Sequence, residues 1–133
     1  MDKQIIDKIG WIYLKDKKLL AVRAKGKEVF YIPGGKRESG ETDKQALTRE
    51  IKEETSVDLI PQSLRFLEKF EAPAHGKTDM SVQISAYTGD FIGELAPDSE
   101  IDEIGWLNYK DKETATPVMK LILEYLKDLS LID

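Results

Sequence analysis

At 133 residues the chain has the length of one domain over 1–133 with a single core, and 41% hydrophobic against 34% charged residues describes a globular chain. No apolar run approaches the ~18–20 residues a membrane span needs, and Met1-Asp2-Lys3-Gln4 lacks the layout of a secretory leader, so a cytoplasmic protein is expected. The absence of cysteine excludes disulfides, thiol nucleophiles and cysteine–zinc sites, while a net charge of −5 argues against a nucleic-acid-coating role and leaves small anionic substrates open.

In chain order, Ile5 to Leu14 reads as a strand, with Ile9, Trp11 and Tyr13 on one side and Ile12 and Leu14 on the other. Lys15-Asp16-Lys17 makes a polar turn into a buried strand, Lys18 to Arg23. Lys25-Gly26-Lys27 turns the chain again, Glu28 to Ile32 is predicted as a third strand, and Pro33-Gly34-Gly35 stops it. Thr42 with Gln45 three residues on forms a capping box that starts a helix whose core face is Ala46, Leu47 and Ile51. Ser63 to Glu71 alternates as a strand through Leu64, Phe66 and Phe70, and Ala72 to Asp79 is expected as a loop. Met80 to Thr88 and a short stretch from Glu103 to Leu107 complete the strands. Thr116 caps a second helix with Pro117 in its first turn and a buried stripe of Leu121, Ile122, Tyr125 and Leu129. Strands with two helices packed on them specify an α/β sandwich.

The first helix carries the chemistry. Glu50, Glu53 and Glu54 stand at i, i+3 and i+4, on one helical face. Like charges so placed repel by a few tenths of a kcal/mol per pair, a cost that a divalent cation turns into coordination. Clustered oxygen donors suit a hard ion such as Mg²⁺, with Mn²⁺ as a substitute, and Mg²⁺ typically serves phosphate chemistry. Taken alone, the three glutamates also fit a solvated helix face with Arg49–Glu53 pairing. Their neighbours tip the balance: Gly35, Glu41, Arg49, Glu50, Glu53 and Glu54 follow Gly-x5-Glu-x7-Arg-Glu-U-x-Glu-Glu, with Ile51 as the apolar U. Six fixed positions match by chance on the order of once in ten thousand.

This pattern, from Gly35 to Val57, resembles the signature of the Nudix (MutT-like) hydrolases. The departure is Ser56, where the family has glycine; a non-glycine in a left-handed position after a helix costs about 1 kcal/mol. The resemblance implies an α/β/α sandwich with a mixed sheet between helices, and hydrolysis of a nucleoside diphosphate linked to some group X. It implies Glu53 and Glu54 as leading metal ligands, Glu50 as a further ligand or a base acting through water, and the Gly34 carbonyl as another ligand. Arg49 and Glu41 are implied to pair and to hold the glycine loop against the ligand face.

Outside the motif, Arg23 and Lys36 are candidates for substrate phosphate, each equally well read as a solvent-facing cation. Glu100 and Glu103 are candidates for a further ligand or base, against an acidic surface turn. His75, the one histidine, lies in a loop with Gly76 and Lys77 that fits an anionic ligand, against a merely solvated ring. A nucleoside triphosphate, oxidised forms included, is the first expectation for a compact chain of this kind, with ADP-ribose or a nucleotide sugar second. Some relatives that cleave ADP-ribose carry a proline about fifteen residues past the motif, near Pro73. A non-catalytic Nudix-like ligand sensor is the alternative of another class, disfavoured because the glutamates and arginine are intact. Homodimers are frequent in the family, and no interface is legible here.

Overall fold

The computed structural model describes residues 4–74, 76 and 79–133. Strand β1 (Gln4–Ile12) pairs in parallel with β7 (Met80–Thr88) over nine residues, and β7 pairs antiparallel with β6 (Arg65–Pro73). On the other side β1 meets the two-residue strand β4 (Gly34–Gly35), which completes a mixed sheet in the order β4-β1-β7-β6. A second sheet, β2-β3-β9, is built from Leu14–Lys15, Lys18–Ala24 and Ile101–Leu107. A small β5–β8 pair (Asp58–Leu59 with Phe91–Ile92) closes the end beyond the first helix and was not foreseen. No helix among the described residues is long and apolar enough to cross a membrane.

The period-2 pattern of β1 sorts the core. Ile9 and Trp11 pack with Ala46, Leu47 and Ile51 of helix α1 (Asp43–Thr55), with Tyr13 at the margin. Ile12 packs on the opposite side, in the cluster that contains Val118, Met119, Ile122, Leu123 and Leu126 of helix α2 (Pro117–Asp128). Two apolar clusters thus lie between helices and sheets, an α/β sandwich with a mixed sheet. Burial of this kind contributes about 25 cal/mol per Å² of apolar surface.

Helix α1 begins as expected: the Thr42 hydroxyl accepts from Gln45 N–H at 3.2 Å, and the Gln45 side chain accepts from Thr42 N–H at 3.0 Å. It ends on Ser56 in the left-handed conformation, φ 72°, with Ser56 N–H donating to the Lys52 carbonyl at 3.1 Å. The serine hydroxyl donates to the Ala96 carbonyl at 2.9 Å, a bond glycine could not make. That bond, worth about 1 kcal/mol, offsets a left-handed cost of similar size. Ser56→Gly is therefore expected to melt close to the wild type and Ser56→Ala, which keeps the strain and loses the bond, clearly below it. Equal midpoints for Ala and wild type would remove the hydroxyl from this account.

Four expectations are corrected. The predicted third strand, Glu28 to Ile32, is irregular, because neighbouring residues bond to different partners. Tyr31 exchanges both backbone hydrogen bonds with Val22, while Phe30 bonds to Thr114 and Thr116 at the start of α2. Gly34 and Gly35 do not stop a strand but form one: a Cβ on Gly34 would strike the Ile9 carbonyl of β1, and one on Gly35 the Glu50 carboxylate. Strand β6 runs on through Ala72 and Pro73, where the sequence suggested a loop. A register shift between Phe66 and Glu68 breaks its alternation, leaving Phe66 55% exposed and edge-on to Tyr87.

The fourth concerns α2. Its buried stripe is Val118, Met119, Ile122, Leu123 and Leu126, with Leu121 and Leu129 exposed. The helix is apolar over more than half its circumference, so periodicity admits two overlapping faces. Packing on β6 and β7, and the turn at Ser130 (φ 59°) that returns Ile132 to the core, selects one of them.

Candidate active site

Beside β4 a cleft of about 530 Å³ opens, walled by Ile9, Ile32, Val82, Ile84 and Val118 and reached by the carboxylates of Glu50 and Glu54. That volume suits a small ligand. Two elements deliver the carboxylates. The capped start of α1 sets the helix phase, so that Ala46, Leu47 and Ile51 face the core while Glu50 and Glu54 emerge one turn apart at its margin. The glycine strand then brings backbone to them. Gly34 N–H donates to Glu54 Oε1 at 2.9 Å, and a Cβ on Gly35 would stand 2.6 Å from the Glu50 carboxylate.

Glu54 is an unusual carboxyl. Burial is the leading cause that pushes its pKa up to about 8; the Gly34 N–H and nearby Lys8 work in the other direction, and Glu50 and Glu53 add to the rise. Burial also raises Glu50, against the opposing pull of Arg49. A negative site that the protein leaves undercompensated is chemically suited to a divalent cation.

Arg49 organises the flank. Its guanidinium donates twice to Glu41, at 2.8 Å each, to Glu50 at 2.8 Å and to the Lys36 carbonyl at 3.1 Å. It also reaches Glu38 at 3.3 Å and Glu53 at 3.5 Å. The loop after the glycines is thereby tied to the helix. A second tie runs from Arg37 to Asp43, whose other oxygen accepts from the Tyr87 hydroxyl at 2.6 Å, and to Asp7 at 3.1 Å.

The bond from Arg49, with the Glu38 N–H behind it, lowers the Glu41 pKa to about 2. A carboxyl depressed in the fold contributes stability that is full above its unfolded value, about 4.3, and lost as pH falls toward 2. Wild type is therefore expected to lose thermal midpoint more steeply than Glu41→Gln between about pH 4.5 and 2. Parallel curves would mean that the pair adds nothing to the fold.

The other sequence candidates divide. Lys36 and Glu100 line the cleft. Arg23 and Glu103 are not among its lining residues; they face one another across the β3–β9 register, where Arg23 Nε and Nη2 donate to Glu103 at 3.2 and 3.1 Å, and Nη2 also donates to Asp102 at 3.0 Å. Each meets the other's charge in place of a ligand's. Glu53 is half exposed, with its carboxylate directed to Arg49, and among the described residues no three acidic or histidine side chains converge on one point as they stand. His75 lies outside the described residues.

The sequence reading missed the apolar wall and, with it, the lining residues Lys8, Tyr31, Thr116 and Pro117. Lys8 had left a signal, since it shares a strand face with Gly10 and Ile12 and pairs in register with Ile84. A lysine on an apolar strand face is out of pattern. Tyr31, with its phenol pKa raised beyond the usual range by burial, had none.

The NUDIX domain family model matches residues 8–126. An ADP-ribose pyrophosphatase of Methanocaldococcus jannaschii is 31% identical over 123 residues, covering 90% of this chain and 72% of the relative. Among solved structures, the MutT protein of Methanosarcina mazei Go1 superposes with a TM-score of 0.75 at 18% identity, over 98% of both chains. A bifunctional NMN adenylyltransferase/ADP-ribose pyrophosphatase of Francisella tularensis, complexed with AMP and a manganese ion, superposes with a TM-score of 0.66 at 22% identity. That match covers 96% of this chain and 42% of the other.

Proposed function

We infer that this chain, which belongs to the NUDIX family and is a Nudix hydrolase, cleaves the phosphoanhydride of a nucleoside diphosphate linked to a second group X, with a divalent cation, Mg²⁺ or Mn²⁺, bound at Glu53, Glu54 and the Gly34 carbonyl and with Glu50 as the base. The observation that carries this reading is the position of the Glu54 carboxylate, withdrawn from water against Gly34 N–H and opening onto an apolar-walled cleft. ADP-ribose is the favoured substrate. The relative in Methanocaldococcus jannaschii carries that activity in its name, and Pro73 lines the cleft. A nucleoside triphosphate, possible for any compact member, ranks second.

When bound, a divalent cation supplies charge neutralisation at the diphosphate and makes water more acidic. The residues of the chain do the rest. Arg49 holds Glu50 and the 36–41 loop in place, so the carboxylates meet the diphosphate in a single arrangement. Glu50 takes the proton of the attacking water as its oxygen bonds to phosphorus and the anhydride P–O bond breaks. Ile32, Val82 and Ile84 exclude water from the nucleoside end.

The test is phosphate and nucleotide release from ADP-ribose, nucleotide sugars, dinucleoside polyphosphates and ordinary and oxidised triphosphates, each with Mg²⁺ and with Mn²⁺. Metal-dependent cleavage to AMP and ribose phosphate is expected with ADP-ribose. Cleavage confined to triphosphates would replace that substrate, and no turnover across the panel would favour a ligand sensor.

A further inference from the structure

Lys8 has no part in the motif, yet its environment calls for a partner. It sits in mid-strand, half-buried, on the face that carries Ile12 and, in register across β1 and β7, Ile84. Its ammonium faces Glu54, Lys36 and Glu50, and among the described residues it forms no ion pair and no side-chain hydrogen bond. The side chain lines the cleft between the carboxylates of α1 and the apolar wall. Burying an ammonium is costly unless its donors are met. An apolar residue would pack here at no such cost, as Ile84 does beside it. Glu54 offers only partial relief, because its Oε1 is already taken by Gly34 N–H.

We propose that Lys8 is a substrate-binding residue whose ammonium, with that of Lys36 next to it one step beyond the Ile9–Gly35 pair of β1 and β4, receives the oxygens of the substrate phosphate that joins the nucleoside to the scissile bond. This rests on the reading of the cleft as a diphosphate site. The division of labour follows from charge and place. The glutamates repel phosphate and need a cation between themselves and it, whereas the two lysines bind phosphate oxygen directly through charge-assisted hydrogen bonds. The phosphate beside Lys8 then lies where the polar floor gives way to Ile84 and Val82, with the nucleoside against that wall. Two cations side by side where β1 meets β4, with the apolar wall to one side of them, fix which end of an asymmetric substrate enters the cleft.

The experiment combines direct binding with kinetics for wild type, Lys8→Met, Lys8→Gln and Lys8→Arg. Calorimetric titrations use ADP and UDP as nucleoside diphosphate probes and Mn²⁺ alone as the metal probe. Lys8→Met is expected to fold, its thermal midpoint equal to or above that of wild type, since it replaces a buried charge with an apolar chain of similar length; Lys8→Gln stands in if it does not. Diphosphate affinity should fall about 10- to 100-fold in Met and Gln, recover to within about threefold in Arg, and leave Mn²⁺ binding undiminished. In turnover the loss should appear in KM with kcat largely kept, the mark of binding common to ground and transition states.

Unchanged diphosphate affinity in Lys8→Met, or an Arg variant no better than Met, overturns the proposal. Weakened Mn²⁺ binding with unchanged diphosphate binding also overturns it, and makes Lys8 a partner of the carboxylates alone. If wild type hydrolyses a diphosphate substrate while Lys8→Met keeps its KM, only the role of Lys8 fails. Wild type that binds diphosphates through Lys8 without cleaving the panel keeps the role of Lys8 and refutes the substrate reading. Wild type that neither binds nor cleaves refutes both.

Discussion

Glu54→Gln is expected to lower turnover by on the order of 10²–10⁴-fold while leaving the metal-free protein as stable as wild type or more so. The two halves share one cause. Glu54 is withdrawn from water, which raises its pKa to about 8, and its charge is further opposed by Glu50. For a carboxyl whose folded pKa stands above its unfolded value of about 4.3, stability is full below that value and declines as pH rises through about 8. Glutamine has no such decline. The mutant's advantage in thermal midpoint should therefore vanish near pH 4 and grow toward pH 8 in the absence of divalent ions.

Addition of Mg²⁺ or Mn²⁺ should reverse the order. A ligand that binds only the folded state raises the midpoint by mass action, and glutamine is a poorer ligand than carboxylate for a hard cation. Wild type should gain and the variant should gain little. A large loss of midpoint in metal-free Glu54→Gln would make Glu54 structural and would sink this account of the site.

Gly35→Ala is expected to fold almost normally and to lose on the order of 10²-fold in kcat/KM. The added Cβ would fall 2.6 Å from the Glu50 carboxyl carbon, inside any real contact, but what it meets is the end of a flexible side chain. The carboxylate can move away, at a cost to stability of less than about 1 kcal/mol. Once moved, it no longer meets Arg49 at the same place, nor stands in the same position relative to the Glu54 carboxylate.

The neighbouring glycine provides the contrast. Gly34 has φ 149°, and its Cβ would fall 2.1 Å from the Ile9 carbonyl oxygen, backbone that cannot yield. Gly34→Ala should lose roughly 2–4 kcal/mol of stability along with activity, because the β1–β4 pairing must open. Thermal midpoints and steady-state kinetics on both variants separate the two effects. Equal destabilisation in the pair would show that the contact with Glu50 is no more forgiving than the one with backbone.

Sequence reading succeeded where interactions are short in range. The Thr42–Gln45 box and the Pro117 start of α2 depend on residues within one helical turn and occur as expected; Ser56, whose turn the sequence left open, takes the left-handed conformation. The Glu41–Arg49 pair, eight residues apart, is the one the family resemblance implied. The two faces of β1 were legible as well, since strand parity needs only an alternating pattern.

What escaped the sequence was decided between segments far apart in the chain. Arg23 and Glu103 are 80 residues apart, and their pairing follows from the β3–β9 register, which no local pattern specifies. Tyr31 acquires its place only when Val22 and the start of α2 divide the backbone of residues 30 and 31 between them. Helix α2 carries apolar residues on two overlapping faces, and the sheet beneath it chooses one. Sequence by itself determined the helix that bears the carboxylates and the loop that meets them. Tertiary structure decided what stands opposite, because a cleft wall is assembled from strands whose mutual register is set by packing over the whole core.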